Sequence, residues 1–489
     1  MQLSLLNRGD EQYSQVSPQT VEHLSLHRMI SFICENPQKR KAFLKYLTRL
    51  PSSPQDVQYR QAVFKDFIQF PALLSQMSDL MERFGKCKTA REQYRRNRLK
   101  NLRDASMQIF CEAARTDMRT SALNLKTCLL FVKALFQLLE EFPVSSTGLQ
   151  EMRTEAEKLS TSPAFSELIS LCSRLEFFGS SEPIDIRVEL NELGMIKNAS
   201  LIDHHFIRII DPDRKSKRMF FKKSKESEDA PSIKLAVSNH TVYNRLISQP
   251  LYELANLFDQ LNGEILDRFC EIENELIFFE VGALYYNFLQ QKRVPIVFPT
   301  FAETEKWQVS GLYDLFLLTF KKTEEIIPHS ITFDEKGCVI FGNNGSGKTV
   351  FLRSIGSMQL LAQAGLPVPA DQCLLKIRKN IVTLFAASEE KNCDDAGRFE
   401  QEVRYFSEKL QEILPESLVL LNEIFQTTAY EEGARGLADI LTYFSEDHIS
   451  WLCVSHLKQL QNHLPKSRTN YIYLDTFHPS LQKAEMQNK

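Results

Sequence analysis

No run of about eighteen apolar residues occurs in the 489-residue sequence, so nothing in it reads as a membrane-spanning helix and no membrane partner is expected. The N-terminal stretch MQLSLLNRGDEQYS lacks the basic-then-apolar order of a secretory signal. The ten cysteines form no CxxC pair and no Cys/His spacing suited to zinc. They read as reduced, mostly buried thiols, as expected of a cytoplasmic protein. There is no large charge of either sign: the formal net charge is −3, so any contact with nucleic acid must come from local patches. Internal repeats and low-complexity segments are missing too. Glycine is scarce over residues 1–182, which removes the usual punctuation of short strands and turns there.

What is present in that glycine-poor half is helical periodicity. In ALNLKTCLLFVKALFQLLEEF the apolar residues recur with a 3.6-residue period and the charges fall opposite. Near residue 185 the texture changes. IDIRVELNELGMIKNASLIDHHFIRIIDP clusters β-branched residues and SEDAPS breaks the chain, which predicts a small strand-containing insertion over about 185–245. PLYELANLFDQLNGEILDRFCEIENELIFFEVGALYYNFLQQKR is helical again. A helix leaving and a helix returning around a small subdomain read as an arm with a tip. After VPIVFPTF, the short runs GCVIF, IVTLFAA, SLVLLNE and SWLCVSH alternate with helical stretches, the pattern of a largely parallel sheet covered on both faces. At this length one core does not suffice. The expected organisation is a helical core over 1–140, lever helices over 141–294 carrying the insertion, and an α/β nucleotide-binding domain over 295–489.

GNNGSGKT fits G-x-x-x-x-G-K-[ST] from Gly342 to Thr349, with an apolar strand before it and a helix-compatible segment after it. That context separates a phosphate-binding loop from a chance glycine turn. Gly342, Asn343, Asn344, Gly345, Ser346, Gly347 and Val350 would aim backbone N–H groups at a diphosphate, with the positive end of the following helix behind them. Lys348 supplies charge to the β/γ-phosphates of ATP, and the Thr349 hydroxyl can hold Mg²⁺. Glu423, one residue past the strand SLVLLN, is placed to orient or deprotonate the attacking water. WLCVSH is a further apolar strand, ending in Ser455 and His456; His456 there can sense the γ-phosphate.

Taken together these residues resemble the MutS family of DNA mismatch-recognition ATPases. GNNGSGKTVFLRSIGSMQLLAQAGLPVPADQC is similar to that family's phosphate loop, helix and G-x-x-V-P-A segment. GRFEQEVRYFSEKL resembles its signature helix, with Phe399 and Glu402 on the Phe and Glu positions. SLVLLNEIFQTTAYEEGARGLADIL resembles its Walker B strand, dimer-facing loop and the start of the next helix, and VSHL its Thr-His strand end. Upstream, SSPQDVQYRQAVFKDFIQFPALLSQM resembles the entry to the family's core domain, and GLYDLFL with IIPHSITF the approach to its ATPase. The resemblance runs over roughly residues 25–470 and is strongest over 310–460. It implies an ABC-type ATPase working as a homodimer, each ATP lying between two subunits, with a helical core and a long lever ending in a clamp.

The departures sharpen the expectation. The chain as given starts at the core-domain segment, so it carries no Phe-x-Glu wedge, and it ends soon after the ATPase segment. The expected target is therefore structured or branched DNA rather than a mispaired base. Asn422 stands where the family has an Asp that holds Mg²⁺ through water; the amide oxygen keeps a hydrogen bond and loses the charge, which predicts slow turnover. In the signature segment, Gly397 and Arg398 replace the usual Ser/Thr hydroxyl before the Phe. The trans contact must then come from backbone N–H groups or from Arg398 acting as an arginine finger, unless Arg398 is simply an exposed residue at a helix start.

Two basic stretches are candidates for a DNA backbone. DRKSKRMFFKKSK, at the expected tip, holds Arg214, Lys215, Lys217, Arg218, Lys222, Lys223 and Lys225 with no acid among them. KCKTAREQYRRNRLKNLR, residues 86–103, is comparable; either stretch can equally be a solvated face. Three functional readings follow: a dimeric ATP-dependent DNA clamp, a nucleotide-gated scaffold that hardly hydrolyses, and an ABC-type mechanical ATPase acting on RNA, a ribosome or a protein.

Overall fold

The computed structural model describes residues 3–8, 13–104, 107–175, 185–190, 196–203, 240–302, 306–334, 337–385, 398–425 and 430–474. The chain is mostly helical and divides into two compact units. One comprises Met1–Asp79, Leu138–Thr154 and Phe269–Lys489; the other comprises Leu80–Gln137 and Glu155–Arg268.

The first unit begins with short helices that share one starting device. Ser17, Asn36 and Ser53 each accept a first-turn N–H, and each is followed by proline: Pro18–His23, Pro37–Leu47 and Pro54–Gln69. The cap satisfies an otherwise orphan donor, and proline suits a position where no N–H is needed. Behind them lies the helix Ile272–Gln291, buried on several sides; Phe278 stacks on Phe43 at 5.2 Å and Phe279 meets Phe67 at 5.2 Å.

The same unit holds a five-stranded sheet. Its strands are β1 (Gly337–Gly342), β2 (Ile381–Phe385), β3 (Leu418–Asn422), β4 (Ser450–Val454) and β5 (Thr469–Leu474). They lie in the order β2-β3-β4-β1-β5, and every pair is parallel. Three helices belong to this body: α1 (Lys348–Gln363), α2 (Arg398–Leu410) and α3 (Tyr430–Glu446). Alternate side chains of β3 serve opposite faces. Val419 and Leu421 pack with Leu437, Leu441 and Phe444 of α3, while Leu420 lies against Gly356 of α1, where a methyl group would come within 2.6 Å of it. Both faces are covered, which is why β3 reads as an unbroken apolar run. β5 has no such run. Its TNYIYL pattern is half-exposed, as an edge strand allows, and the motif reading did not include it.

A smaller four-stranded sheet packs in the order Thr300–Phe301, Gln372–Leu375, Lys306–Leu312, His329–Asp334, with the third strand antiparallel to both its neighbours. The N-terminal segment covers the open edge of β2. Thr20 donates its hydroxyl to the Ile381 carbonyl, His23 Nδ1 lies 2.8 Å from Thr383 Oγ1, and the His23 ring stacks on Phe385 at 4.8 Å. Burial holds the His23 imidazole below its usual pKa.

The second unit is helical. Phe84 and Phe131 meet with ring centroids 4.7 Å apart, and Met118, Ala122, Leu125 and Val132 are buried around them. Asp185–Leu190 pairs antiparallel with Ile196–Asp203, so strands do occur where the insertion was read. One expectation needs correcting. Ala113–Glu141, with a mean hydropathy of 1.5 over its most apolar window, is long and apolar enough to cross a membrane. Half of that window is buried inside the protein, and Asp117, Ser121 and Asn124 are buried on the same helix. A core helix has that character.

Candidate functional site

The candidate site assembles at the C-terminal edge of the parallel sheet, where ligands of open α/β sheets generally bind. β1 ends at Gly342, and the chain turns at once into α1 through Asn343–Gly347. Gly345 and Gly347 have φ of 80° and 87°, a region L side chains rarely adopt, although a methyl group at either would meet nothing within 4 Å. The glycines are thus required by backbone conformation and not by crowding. Gly342 is the opposite case: a Cβ there would lie 2.6 Å from the Leu474 carbonyl oxygen.

Lys348 opens α1 and is 5% exposed. Its ammonium bends back over the loop and donates to the carbonyls of Gly342 and Asn343, each at 3.0 Å. Thr349 follows, and its hydroxyl donates to the Asn422 amide oxygen at 3.2 Å. Asn422 closes β3, in register with Val454 of β4, which is in turn in register with Ile340 of β1. Three parallel strands therefore bring Gly342, Asn422 and Ser455 to one edge.

Glu423 sits immediately past β3 with φ of 56°, an uncommon conformation for a non-glycine residue. Its N–H donates to the Val454 carbonyl at 2.9 Å, which pins the turn. Its carboxylate meets His456 Nε2 at 2.7 Å. Strained backbone beside a paired acid and imidazole is a common mark of a working site. Ser455 is buried, and its hydroxyl accepts from the Leu457 N–H. Sequence reasoning did not single out Tyr473. Its hydroxyl reaches Asn343 Oδ1 at 3.4 Å from the edge strand β5, and no motif signals it.

The residues present fit a nucleotide with its cation. The Ser346 hydroxyl is buried and has no partner, a polar atom in want of one at the centre of the loop. Among the described residues no group of three His, Cys, Asp or Glu side chains is arranged to hold a metal ion. Thr349 and Asn422 offer two neutral oxygens, a set suited to a cation that takes its remaining ligands from phosphates and water, as Mg²⁺ does.

Arg398, Phe399 and Glu402 lie at the start of α2, with their side chains outside the described residues. Arg214, Lys215, Lys217, Arg218, Lys222, Lys223 and Lys225 also lie outside the described residues. In the stretch 86–103 three arginines have partners within the second unit. Arg91 and Arg95 pair with Asp259 at 2.9 and 3.0 Å, and Arg98 pairs with Asp117 at 3.4 Å while lying 4.1 Å over the Tyr252 ring. These arginines hold helices together within the second unit instead of forming a free basic face.

Residues 338–484 match the family MutS domain V. The chain is 34% identical over 137 residues to a mitochondrial DNA mismatch repair protein mutS homolog of Sarcophyton glaucum, a span of 28% of this chain and 14% of that protein. It is 34% identical over 127 residues to the DNA mismatch repair protein MutS of Haloquadratum walsbyi, covering 26% and 13%. It is 29% identical over 151 residues to the Endonuclease MutS2 of Thermus thermophilus, covering 30% and 20%. The matches thus span a fifth or less of each of these relatives' own length.

Proposed function

We propose that the chain, whose residues 338–484 match MutS domain V, is a MutS-family, ATP-dependent DNA clamp acting on structured or branched DNA. ATP binds through the phosphate loop Gly342–Val350 and joins two copies of the chain. The observation that carries the nucleotide chemistry is the convergence of Lys348, Thr349, Asn422, Glu423 and His456 at one sheet edge.

Each residue has a distinct task. Lys348 exchanges its two carbonyl partners for phosphate oxygens, replacing neutral acceptors by charged ones. Thr349 and Asn422 hold the cation's position, and Mg²⁺, when bound, neutralises charge on the phosphates. Glu423 orients and deprotonates the attacking water, while His456 fixes the Glu423 carboxylate at 2.7 Å and meets the γ-phosphate side. The neutral Asn422 makes turnover slow. Arg398 at the head of α2 serves the partner copy's phosphates, and the cations from Arg214 to Lys225 meet the DNA backbone.

Asn422 also favours a second reading, a nucleotide-gated scaffold with little hydrolysis. Sedimentation velocity with and without Mg-ATP tests the shared premise: the chain is expected to dimerise with ATP, and a monomer at saturating nucleotide would overturn it. Single-turnover hydrolysis with and without branched DNA separates the two readings. The clamp predicts a rate well above that of Glu423→Ala; equal rates would support the scaffold.

A further inference from the structure

The short helix Pro18–His23 contributes no residue to the nucleotide site, yet α1, β2 and α2 all grip it. α1 holds its C-terminal end. Along one face of α1, at successive turns, Thr349 donates to Asn422, Arg353 Nε donates to the His23 carbonyl at 3.2 Å, and Ser357 donates to the Leu24 carbonyl at 3.4 Å. A methyl group on Gly356 would come within 2.5 Å of Leu24 Cδ2. Glycine inside a helix costs stability relative to alanine, and here it lets Leu24 seat directly on α1.

β2 holds the side chains. The Thr383 hydroxyl donates to Thr20 Oγ1 at 3.2 Å and meets His23 Nδ1 at 2.8 Å, while the His23 ring lies parallel to Phe385 with 3° between the planes. Phe385 is in register with Asn422, the partner of Thr349. α2 holds the other end. Gln19, one turn before His23, donates from Nε2 to the Tyr405 hydroxyl at 3.0 Å. The next residue of α2, Phe406, meets Phe425 at 5.8 Å, two positions past Glu423.

We infer that the helix Pro18–His23 is a strut between the cation end of the nucleotide site and α2, with Gln19 and His23 as positioning residues. This rests on the proposed clamp, in which α2 serves the partner copy's phosphates. Both grips on His23 lead to the same pair of groups. Its carbonyl is tied to α1 one turn past Thr349, and its ring is tied to the β2 residue beside Asn422. Fixing Thr349 against Asn422 therefore fixes His23 from two sides at once.

The strut itself is stiff. Ser17 accepts the Thr20 N–H and Pro18 sets the first turn, so Gln19 and His23 keep one spacing on one helix face. Whatever holds His23 then holds Gln19, and through it Tyr405. Such coupling is reciprocal: α2 held against a partner copy keeps Thr349 and Asn422 in the arrangement that retains the nucleotide.

The test follows amide hydrogen exchange in peptides spanning α2, with and without Mg-ATP, on the full chain at a concentration too low for dimerisation. Equilibrium dialysis of ATP runs beside it. In the unsubstituted protein, exchange in α2 is expected to slow roughly twofold to tenfold with Mg-ATP, the reach of one ordinary hydrogen bond. Gln19→Met and Tyr405→Phe should each abolish that slowing, the pair together no further than either alone, while ATP affinity stays within about twofold. His23→Phe, which keeps the stack, should retain part of the slowing that His23→Ala loses. A merely structural role would change exchange equally in both states, so an unaltered difference between them would overturn the inference. Exchange in α2 that ignores Mg-ATP in the unsubstituted protein would do the same, as would loss of ATP binding in step with loss of the slowing. Sedimentation at high concentration judges the clamp separately: a chain that stays monomeric removes that reading, and the exchange result still decides the strut.

Discussion

The Thr349 hydroxyl donates to the Asn422 amide oxygen across 3.2 Å, joining the first turn of α1 to the end of β3. An aspartate at position 422 would put a charged acceptor in the same place. Asn422→Asp is therefore expected to lower the Mg²⁺ concentration for half-maximal ATP retention by roughly threefold to tenfold. A Mg²⁺ titration of retained nucleotide measures this. An unchanged requirement would show that residue 422 does not face the cation.

Glu423 is expected to separate hydrolysis from binding. Glu423→Gln keeps the shape and removes the base, so single-turnover hydrolysis should fall about 10²- to 10⁴-fold while ATP affinity holds. Glu423→Gly should lose hydrolysis equally and yet keep or raise the melting temperature. Its φ of 56° costs a non-glycine residue roughly 1–2 kcal/mol, which glycine does not incur. Loss of stability in the glycine variant would argue against strain at this turn.

Gly337 shows the same economy in the core. A Cβ there would come within 1.8 Å of the Trp451 ring. Gly337→Ala should destabilise the protein by about 1–3 kcal/mol, and combining it with Trp451→Leu should recover part of that loss through shared space. Urea denaturation of the two single variants and the double variant gives the coupling directly.

A pH effect is expected from His329, whose ring lies edge-on to Phe351 with centroids 5.1 Å apart. Burial pushes its pKa down to about 4 from an ordinary 6.5. Below pH 6.5 the unfolded chain takes up a proton that the folded ring refuses, so stability drops as pH falls toward 4. His329→Phe should flatten the stability profile in that window by on the order of 1–3 kcal/mol, and leave it unchanged above pH 7. Melting curves across the range test the sign as well as the size.

Much of the candidate site's local geometry was legible because its signals are local. Gly345 and Gly347 announce a turn that side-chained residues resist, and the apolar runs of β1 to β4 announce strands buried on both faces. β5 escaped because an edge strand with Tyr471 and Tyr473 half-exposed need not be apolar. The small mixed sheet escaped for a different reason: two of its strands are only 2 and 4 residues long, and two strands pair across more than sixty residues of chain. In the basic stretch 86–103 the pairing of Arg91 and Arg95 was not legible, since charge in a sequence does not reveal the partner. Asp259 lies some 160 residues further on.

By itself the sequence settled what depends on neighbours along the chain: helices started by a cap and a proline, the glycine-shaped loop, the alternation of strand and helix. Tertiary structure alone decided which distant groups meet. Thr349 finds Asn422 across 73 residues, and Glu423 finds His456 across 33. Both meetings depend on parallel register among β1, β3 and β4, and that register comes from burying two apolar faces at once, a property of the assembled sheet and of no single segment.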